Sequence, residues 1–528
     1  MKNKFFTLIA AVSLLASCQD AYEITQPGDR TEESQVFINN AEIKRGINGL
    51  YATFNPEAEI EFVSYFTDEL GLGITNAGQG VNDGSYTFFL QAGNSFATSA
   101  WGTYYNIINR GNRMLNRIDE LKLETQSNTS LSNSDKVAAL EALGDSRAEI
   151  LALRAYCNLK LFSYFTPDYT NPSGLSVIKF DFLQTDNYAR FESRATVQEM
   201  VDFIVSDVNE ALSNTNGVSP TGGKIKASNN FLKTILVKLY AMTEDYDKVE
   251  LYANELSADY SLMEASSGMY QLMFADDVSN GELIFALQRM INESNSVAAA
   301  WYSDAISIDA TQIYMEVGRS LYNQLDRLDP SKTNQVRDLP NFETRNDARY
   351  EINVLTGSKV ATNYSSLSID QYRTQDVLLV GKYTGRTQSP LQNNVIIFRY
   401  ADVLLSLAEA KASQGDIAGV EAIIRQIRTA RSYTSTPASM PVINSVQSAW
   451  KAILDERRVE FAFEGYRYLD MKRLGSKAGS PGFVRDPQDC ATTNVCELTI
   501  PSHKLTLPIP RTEILANPAI SNQQNPGY

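Results

Sequence analysis

The sequence predicts a mainly α-helical protein in which paired helices form a scaffold that carries a loop-rich insertion. Three observations support this fold class. Apolar residues recur at helical spacing through much of the chain, two helix–turn–helix segments resemble each other, and the stretch between them is rich in Gly, Asn and Asp. With 528 residues and 43% hydrophobic content, the chain is able to bury a large core.

The first elements follow from local signals. Apolar spacing predicts a helix over residues 41–54, which Asn55-Pro56 closes. Residues 64–100 break this pattern with six glycines among Asn, Gln, Tyr and Phe, and they predict a loop or short-strand region of the kind that often carries function. Helical spacing returns at Trp101 and continues past Leu115.

The segment from Ala148 to Phe165 is apolar on two sides, which is typical of a helix buried between other helices. Cys157 lies on one of these apolar stripes, so we interpret it as an inert core residue rather than a reactive thiol. Pro167 ends the helix because proline cannot continue one.

An internal repeat indicates tetratricopeptide-like helix pairs. Residues 228–256 align with residues 399–427, so that Leu236 matches Leu407 and Asp245 matches Asp416. In each copy one helix ends in a short turn and a second helix begins, and stacked pairs of this kind bury a shared core. Residues 262–395 lie between the copies and predict loops with short strands, one of them from Leu283 to Leu287.

The N-terminus predicts export and lipidation. Lys2 and Lys4 precede a mainly apolar run of twelve residues, from Phe5 to Ala16, which is too short to span a membrane but typical of a secretory signal. Leu15-Ala16-Ser17-Cys18 resembles the lipobox of bacterial lipoproteins, which predicts a leader over 1–17, a lipid on Cys18 and a polar tether over 18–40. An ordinary signal peptide with a chance cysteine is the alternative. The acidic residues that follow resemble the signals that send such lipoproteins to the cell surface.

Composition excludes several classes of function. With 47 Lys and Arg against 62 Asp and Glu, the net charge is −15, and the absence of a basic block argues against nucleic-acid binding. A single histidine, His503, argues against Ser–His or Cys–His catalysis and against multi-histidine metal sites, so we expect no metal and no cofactor. Cys490 and Cys496 flank a short polar loop and are a disulfide candidate in an oxidising compartment.

Several stretches together resemble the SusD/RagB family of outer-membrane nutrient-binding lipoproteins. They occur in the expected order and cover essentially the whole mature chain: the lipobox, WGTYYNIINRGNRML from Trp101, EILALRAYCNLKLFSYFTPDY from Glu149, RATVQEMVDFIVSDVNEAL from Arg194, FRYADVLLSLAEA from Phe398, ERRVEFAFEGYRYLDMKRLG from Glu456 and LPIPRTEILANPAISNQQNPGY from Leu507.

This resemblance implies a lipid-anchored protein on the outer face of the outer membrane. Family members cover a SusC-like TonB-dependent transporter, to which they deliver oligosaccharides or, in the RagB-like branch, peptides, and they are not catalysts. The resemblance implies one compact fold with an N-terminal SusD-like region over residues 41–230 and a C-terminal RagB/SusD region over residues 231–528.

Two regions are candidates for the ligand site. A sugar offers apolar C–H faces to aromatic rings and polar edges to carboxylates and amides. The first candidate region is the insertion around Trp301, with Tyr302 and Asp304, whereas the other two tryptophans, Trp101 and Trp450, are predicted to be core residues. The second candidate region is the glycine-rich one, and its candidate residues are Asp68, Asn76, Gln79, Asn82, Asp83 and Tyr86.

Other functions stay open at this point. Glu460 and Glu464 form a carboxylate pair that a glycosidase would need, but neighbouring arginines favour ionised, structural acids. A peptide ligand is the alternative within the family, and a secreted helical glycosidase or a scaffold without any ligand are the alternatives outside it.

Overall fold

The computed structural model describes residues 36–183, 191–214, 223–277, 281–290, 296–302, 312–330, 345–386, 389–390 and 392–528. The leader, Cys18 and most of the tether therefore lie outside the described residues, and so does Asp304. Within the described ranges, no helix is both long enough and apolar enough to cross a membrane.

The fold is mainly helical, as predicted. The α-helices are α1 Asn40–Thr53, α2 Pro56–Phe66, α3 Ser95–Ser127, α4 Asn133–Phe165, α5 Val197–Ser213, α6 Asn229–Thr243, α7 Tyr246–Leu256, α8 Met269–Ala275, α9 Arg319–Asp326, α10 Ala348–Asn353, α11 Ile369–Gln375, α12 Tyr400–Ser413, α13 Ile417–Arg431, α14 Val446–Glu460, α15 Arg467–Leu474 and α16 Arg511–Ala516. The strands are β1 Leu70–Leu72, β2 Leu175–Ile178, β3 Arg194–Thr196, β4 Leu283–Leu287, β5 Met315–Val317, β6 Gly385–Arg386, β7 Ser389–Pro390, β8 Val395–Arg399, β9 Gly482–Val484 and β10 Glu497–Thr499.

The long helices extend further than their sequence signals. α3 begins at Ser95, where the Asn94 side chain accepts the Ala97 N–H, so the helix starts two turns before the apolar pattern becomes regular. α4 begins at Asn133 with a Ser132 cap, and its first turns are exposed, which explains why periodicity alone located only its buried half. Cys157 is buried in α4, and burial raises the pKa of its thiol, in keeping with an inert residue.

The two predicted helix pairs are present as α6–α7 and α12–α13. The similarity between the two pairs includes the N-terminal caps of their second helices. Asp245 accepts the Lys248 N–H at the start of α7, and Asp416 accepts the Gly419 N–H at the start of α13. The pairs also contact each other, with the ammonium group of Lys411 2.5 Å from the carboxylate of Glu250. The tetratricopeptide-like scaffold is thus confirmed.

Two hydrophobic clusters divide the interior. The larger one is helical and packs α1, α3–α7, α12–α14 and the C-terminal segment together. The smaller one lies under the loop-rich part and includes β1, β5 and the residues around Trp301. Both clusters take residues from either side of residue 230, so the division into regions 41–230 and 231–528 stays a prediction.

An ionic network crosses the interior beside α14. Glu460 accepts hydrogen bonds from Arg349, Arg399 and Arg431, which come from three other elements. Although burial alone would raise the pKa of Glu460, these guanidinium groups hold it well below its usual range. Glu460 therefore has a structural role. Its ion-pair partners are these arginines, which are distant in sequence, and not Arg457, its neighbour on the helix.

Candidate functional site

The two regions that the sequence singles out are brought together by one strand pairing. β1 is antiparallel to β5, with Leu70 opposite Val317 and Leu72 opposite Met315. The pairing continues into the glycine-rich loop, because the Gly73 N–H donates to the Tyr314 carbonyl at 3.0 Å. The glycine-rich loop therefore lies directly against the insertion, which chain order alone did not reveal.

Trp301 does not present its ring to solvent, and the prediction that it forms an exposed ligand platform is corrected. Its side chain is 0% exposed. The ring packs against Tyr65 at a centroid distance of 6.4 Å and against Phe463 at 5.8 Å. Its position in an irregular segment suggested exposure. However, this segment lies on the smaller hydrophobic cluster, and the large apolar ring of Trp301 is buried in that cluster.

Tyr302 is also buried, and its hydroxyl donates a hydrogen bond to the Val380 carbonyl. It holds the insertion to the strand-like segment around residue 380 rather than facing a ligand, so its prediction as a contact is corrected for the same reason. Asp304, the third candidate of this region, lies outside the described residues.

Asp68 is a structural acid in this fold. It is buried and forms ion pairs with Arg467 at 2.8 Å and Arg458 at 3.2 Å. Burial opposes its ionisation, but the two guanidinium groups prevail and lower its pKa to about 2. Its prediction as a ligand contact is corrected, because both arginines already satisfy the carboxylate.

Tyr86 belongs to the floor under the loop and not to its surface. It is fully buried, and its hydroxyl donates to the Asp489 carbonyl at 3.0 Å. The Arg485 guanidinium lies 3.9 Å from the ring centroid. The structure joins Cys490 and Cys496 in a disulfide beside Asp489, so the bridge closes the segment that supports this tyrosine.

Asn76 and Gln79 are half-buried and shape the loop from within. The Asn76 amide donates to the carbonyls of Gln79 at 3.2 Å and Tyr314 at 3.0 Å. The Gln79 side-chain oxygen accepts the Ala77 N–H at 2.7 Å. These bonds use much of the hydrogen-bonding capacity of the two amides, so their main role here is to fix the loop.

Asn82 and Asp83 are exposed, as a ligand contact requires, and the next residue, Gly84, lies against an aromatic residue. Phe89 is 52% exposed, and a Cβ on Gly84 would lie 2.7 Å from the Phe89 Cβ. Gly84 has φ 84°, a conformation that favours glycine, so this position both turns the chain and leaves room for the phenylalanine.

Glu61 completes this patch. It is an exposed residue of α2. Partial loss of solvent around its carboxylate raises its pKa most, and the negative charge of Asp83 raises it further. We call Glu61, Asn82, Asp83 and Phe89 the loop surface. Sequence reasoning found Asn82 and Asp83 but missed Glu61, the exposed residue in an otherwise inward-facing helix, and Phe89, whose neighbour Phe88 is buried.

The loop surface combines one apolar ring with carboxylate and amide edges on a rigid floor. Such a set offers a flat face to C–H groups and acceptors to hydroxyl groups. In the described part of the chain, no group of three or more His, Cys, Asp or Glu is arranged to hold a metal ion.

The sequence is similar to a known protein family and to two known SusD-like proteins. The SusD family model matches residues 281–528. SusD-like protein P38 of Formosa agariphila is 23% identical over 500 residues, which cover 89% of this chain and 90% of that protein. SusD-like protein P2 of the same organism is 22% identical over 575 residues, which cover 100% of both chains.

Solved structures agree with this fold. A SusD superfamily protein from Bacteroides thetaiotaomicron superposes with a TM-score of 0.69 at 21% identity, over 92% of this chain and 100% of that one. A protein described as a putative sugar binding protein from Bacteroides vulgatus superposes with a TM-score of 0.65 at 21% identity, over 93% of this chain and 99% of that one.

Proposed function

We propose that the chain is a member of the SusD/RagB family, whose model matches residues 281–528, and that it binds oligosaccharide or polysaccharide at the loop surface, on the outside of the cell. The observation that carries this proposal is the exposed side chain of Phe89, which lies against Gly84, the residue that follows exposed Asn82 and Asp83, in a loop that packs on buried aromatic rings. The sugar-binding description of the Bacteroides vulgatus neighbour supports the same ligand class.

The floor explains why exposed groups on a loop hold a fixed geometry. Tyr65 donates to the Ala300 carbonyl at 2.9 Å and packs against Trp301, so α2 and the insertion are joined beneath the loop. A preformed surface loses little conformational entropy when a ligand binds. Trp301 thus contributes by supporting the loop and not by contacting the sugar.

The proposal includes the route to the cell interior. A lipid on Cys18 would anchor the protein in the outer membrane, and the segment up to residue 40 would act as the tether. From there the protein delivers its ligand to a SusC-like TonB-dependent transporter. Replacing Cys18 by Ala should move the protein from the membrane fraction to the medium, and retention in the membrane would contradict lipid anchoring.

The direct test is affinity electrophoresis of the leaderless chain in gels that contain laminarin, xylan, starch, pectin, galactomannan or alginate. We expect retardation in at least one gel and a loss of about tenfold or more in affinity for Phe89→Ala. Leu251→Ala is the matched control because Leu251 is also 52% exposed but lies on α7. Binding that is unchanged in Phe89→Ala would contradict the assignment of the site.

A second assay separates binding from hydrolysis. Glu61 and Asp83 are neighbouring acids, and a glycosidase also needs two carboxylates in one site. We expect no release of reducing ends when the purified protein is incubated with the polysaccharide that it binds. Release of reducing ends that disappears in Glu61→Gln would instead identify an enzyme. Binding of mixed peptides without binding of any polysaccharide would indicate a peptide-binding protein of the RagB-like branch.

A further inference from the structure

A second groove, distant in sequence from the loop surface, is lined by aromatic residues. Its volume is about 390 Å³, which falls in the range of small-molecule sites. One wall is the start of α3, the second is the segment that follows β2, and the third is α16; the lining includes Trp101, Gly102, Tyr105, Phe180, Phe182 and Glu513.

The walls of this groove are fixed to one another by hydrogen bonds. The Asn112 amide donates to the carbonyls of Phe180 and Phe182, both at 3.0 Å, and so holds the segment that carries these rings. The Tyr105 hydroxyl donates to the Ile178 carbonyl at 2.8 Å, and the Trp101 indole N–H donates to Glu513 at 3.3 Å. The groove is therefore preformed.

Gly102 keeps the groove open. It lies inside α3, where glycine is less favourable than alanine for a helix, and a Cβ at this position would meet no atom within 4 Å. Neither a turn nor a close contact requires a glycine here. Phe191 lies at the rim of the groove and is 51% exposed, so the described part of the chain presents apolar surface to solvent here.

The polar end of the groove suits hydroxyl groups. The two oxygens of Glu513 accept N–H groups from Trp101 and Asn517, which leaves acceptor capacity on both. No Lys or Arg in the described ranges forms an ion pair with Glu513. Burial raises the pKa of Tyr105 most, and the charges of Glu513 and Arg194 act on it in opposite directions.

From these observations we infer that the groove is a second carbohydrate-binding site, in which a pyranose ring packs on Phe180 and Phe191 and donates hydroxyl hydrogens to Glu513. The inference rests on the proposed function, because the sugar would belong to the same polysaccharide that the loop surface binds. The chain links the two surfaces: the Ala92 carbonyl, at the end of the glycine-rich loop, accepts the N–H of Arg511 at the start of α16.

Gly102→Leu tests this inference because the new side chain would fill the groove while favouring the helix. We expect the variant to melt at or above the wild-type temperature and to bind the retarding polysaccharide about threefold to tenfold more weakly. Gly49→Leu is the matched control, since Gly49 also lies inside a helix with no atom within 4 Å of a Cβ. We expect Phe191→Ala to weaken binding in the same direction.

The outcomes separate this inference from the proposed function. Unchanged affinity in both Gly102→Leu and Phe191→Ala, with Phe89→Ala defective, would overturn the second site and leave the loop surface standing. Weaker binding in Gly102→Leu with normal binding in Phe89→Ala would support the groove and overturn the loop surface. Retardation of the wild type in none of the six gels would overturn both, and groove-dependent binding of hexalysine instead of polysaccharide would overturn the ligand class.

Discussion

Two sets of buried carboxyl groups in the molecule have opposite properties. In the helical scaffold, Glu460 and Asp402 are paired with Arg or Lys, and those cations lower their pKa values although burial opposes this. Under the loops, Glu69 and Asp489 bond mainly to neutral donors, and burial raises the pKa of each to about 7. The same residue type is thus an ionic crosslink in the scaffold and a proton-binding group in the floor of the loop surface.

The largest expected effect tests the scaffold half of this contrast. Glu460→Gln removes the negative charge that faces Arg349, Arg399 and Arg431. Leaving buried guanidinium groups without a counter-charge should lower the unfolding free energy by about 3–5 kcal/mol, measured by urea denaturation. Asp455→Asn, which breaks the exposed pair with Lys451, is the control and should cost less than about 0.5 kcal/mol. Equal losses would contradict the ionic-crosslink account.

The second prediction addresses the floor of the loop surface. Trp301→Ala should lower the unfolding free energy by about 3–5 kcal/mol because it empties a packed core position. Trp301→Phe should cost less, since the buried indole N–H has no hydrogen-bond partner in the described structure and its loss leaves no acceptor unpaired. We expect Trp301→Phe to retain polysaccharide binding. A folded Trp301→Phe variant that no longer binds would restore Trp301 as a contact.

The third prediction concerns pH. The folded pKa values of Glu69 and Asp489 lie above their ordinary values, so the folded state binds more protons at these two groups and their contribution to the unfolding free energy should fall as pH rises from about 4 to 7. Burial raises the pKa of neighbouring Glu316 well above its usual range as well. Glu316→Gln should therefore increase stability at pH 8 more than at pH 5, by about 1–3 kcal/mol.

Thermal and urea unfolding across this pH range provide the measurement. Exposed Glu497 supplies the control, because Glu497→Gln changes the same charge without burial and should leave the slope as it is. A wild-type stability that rises steadily between pH 5 and pH 8 would contradict protonation of the floor.

The smallest effect compares the two repeated helix pairs. Asp245→Ala and Asp416→Ala each remove a side chain that caps the second helix of its pair. Each should cost about 1 kcal/mol, and the two losses should be additive to within about 0.5 kcal/mol if the caps act independently. Chemical denaturation of the single and double variants measures this. A cap whose loss costs nothing would show that the repeat is one of sequence pattern alone.

The scaffold was predictable because its signals are local. Helical spacing in residues 148–165 and the matched Asp245 and Asp416 depend on neighbouring residues, and the structure preserves them. The ligand site depends on pairing between β1 and β5 and on which face of an irregular segment is buried, and neither has a short-range signature. For this reason Trp301 and Tyr86 were predicted at the surface and lie inside, whereas exposed Phe89 was missed.

The most direct test of carbohydrate binding at the loop surface is hydrogen–deuterium exchange with and without the retarding polysaccharide, cut to short oligosaccharides. We predict slower exchange in peptides that cover residues 73–94, with no change in the helix pairs α6–α7 and α12–α13. Slower exchange that excludes residues 73–94, or no change anywhere while the ligand is bound, would contradict the account.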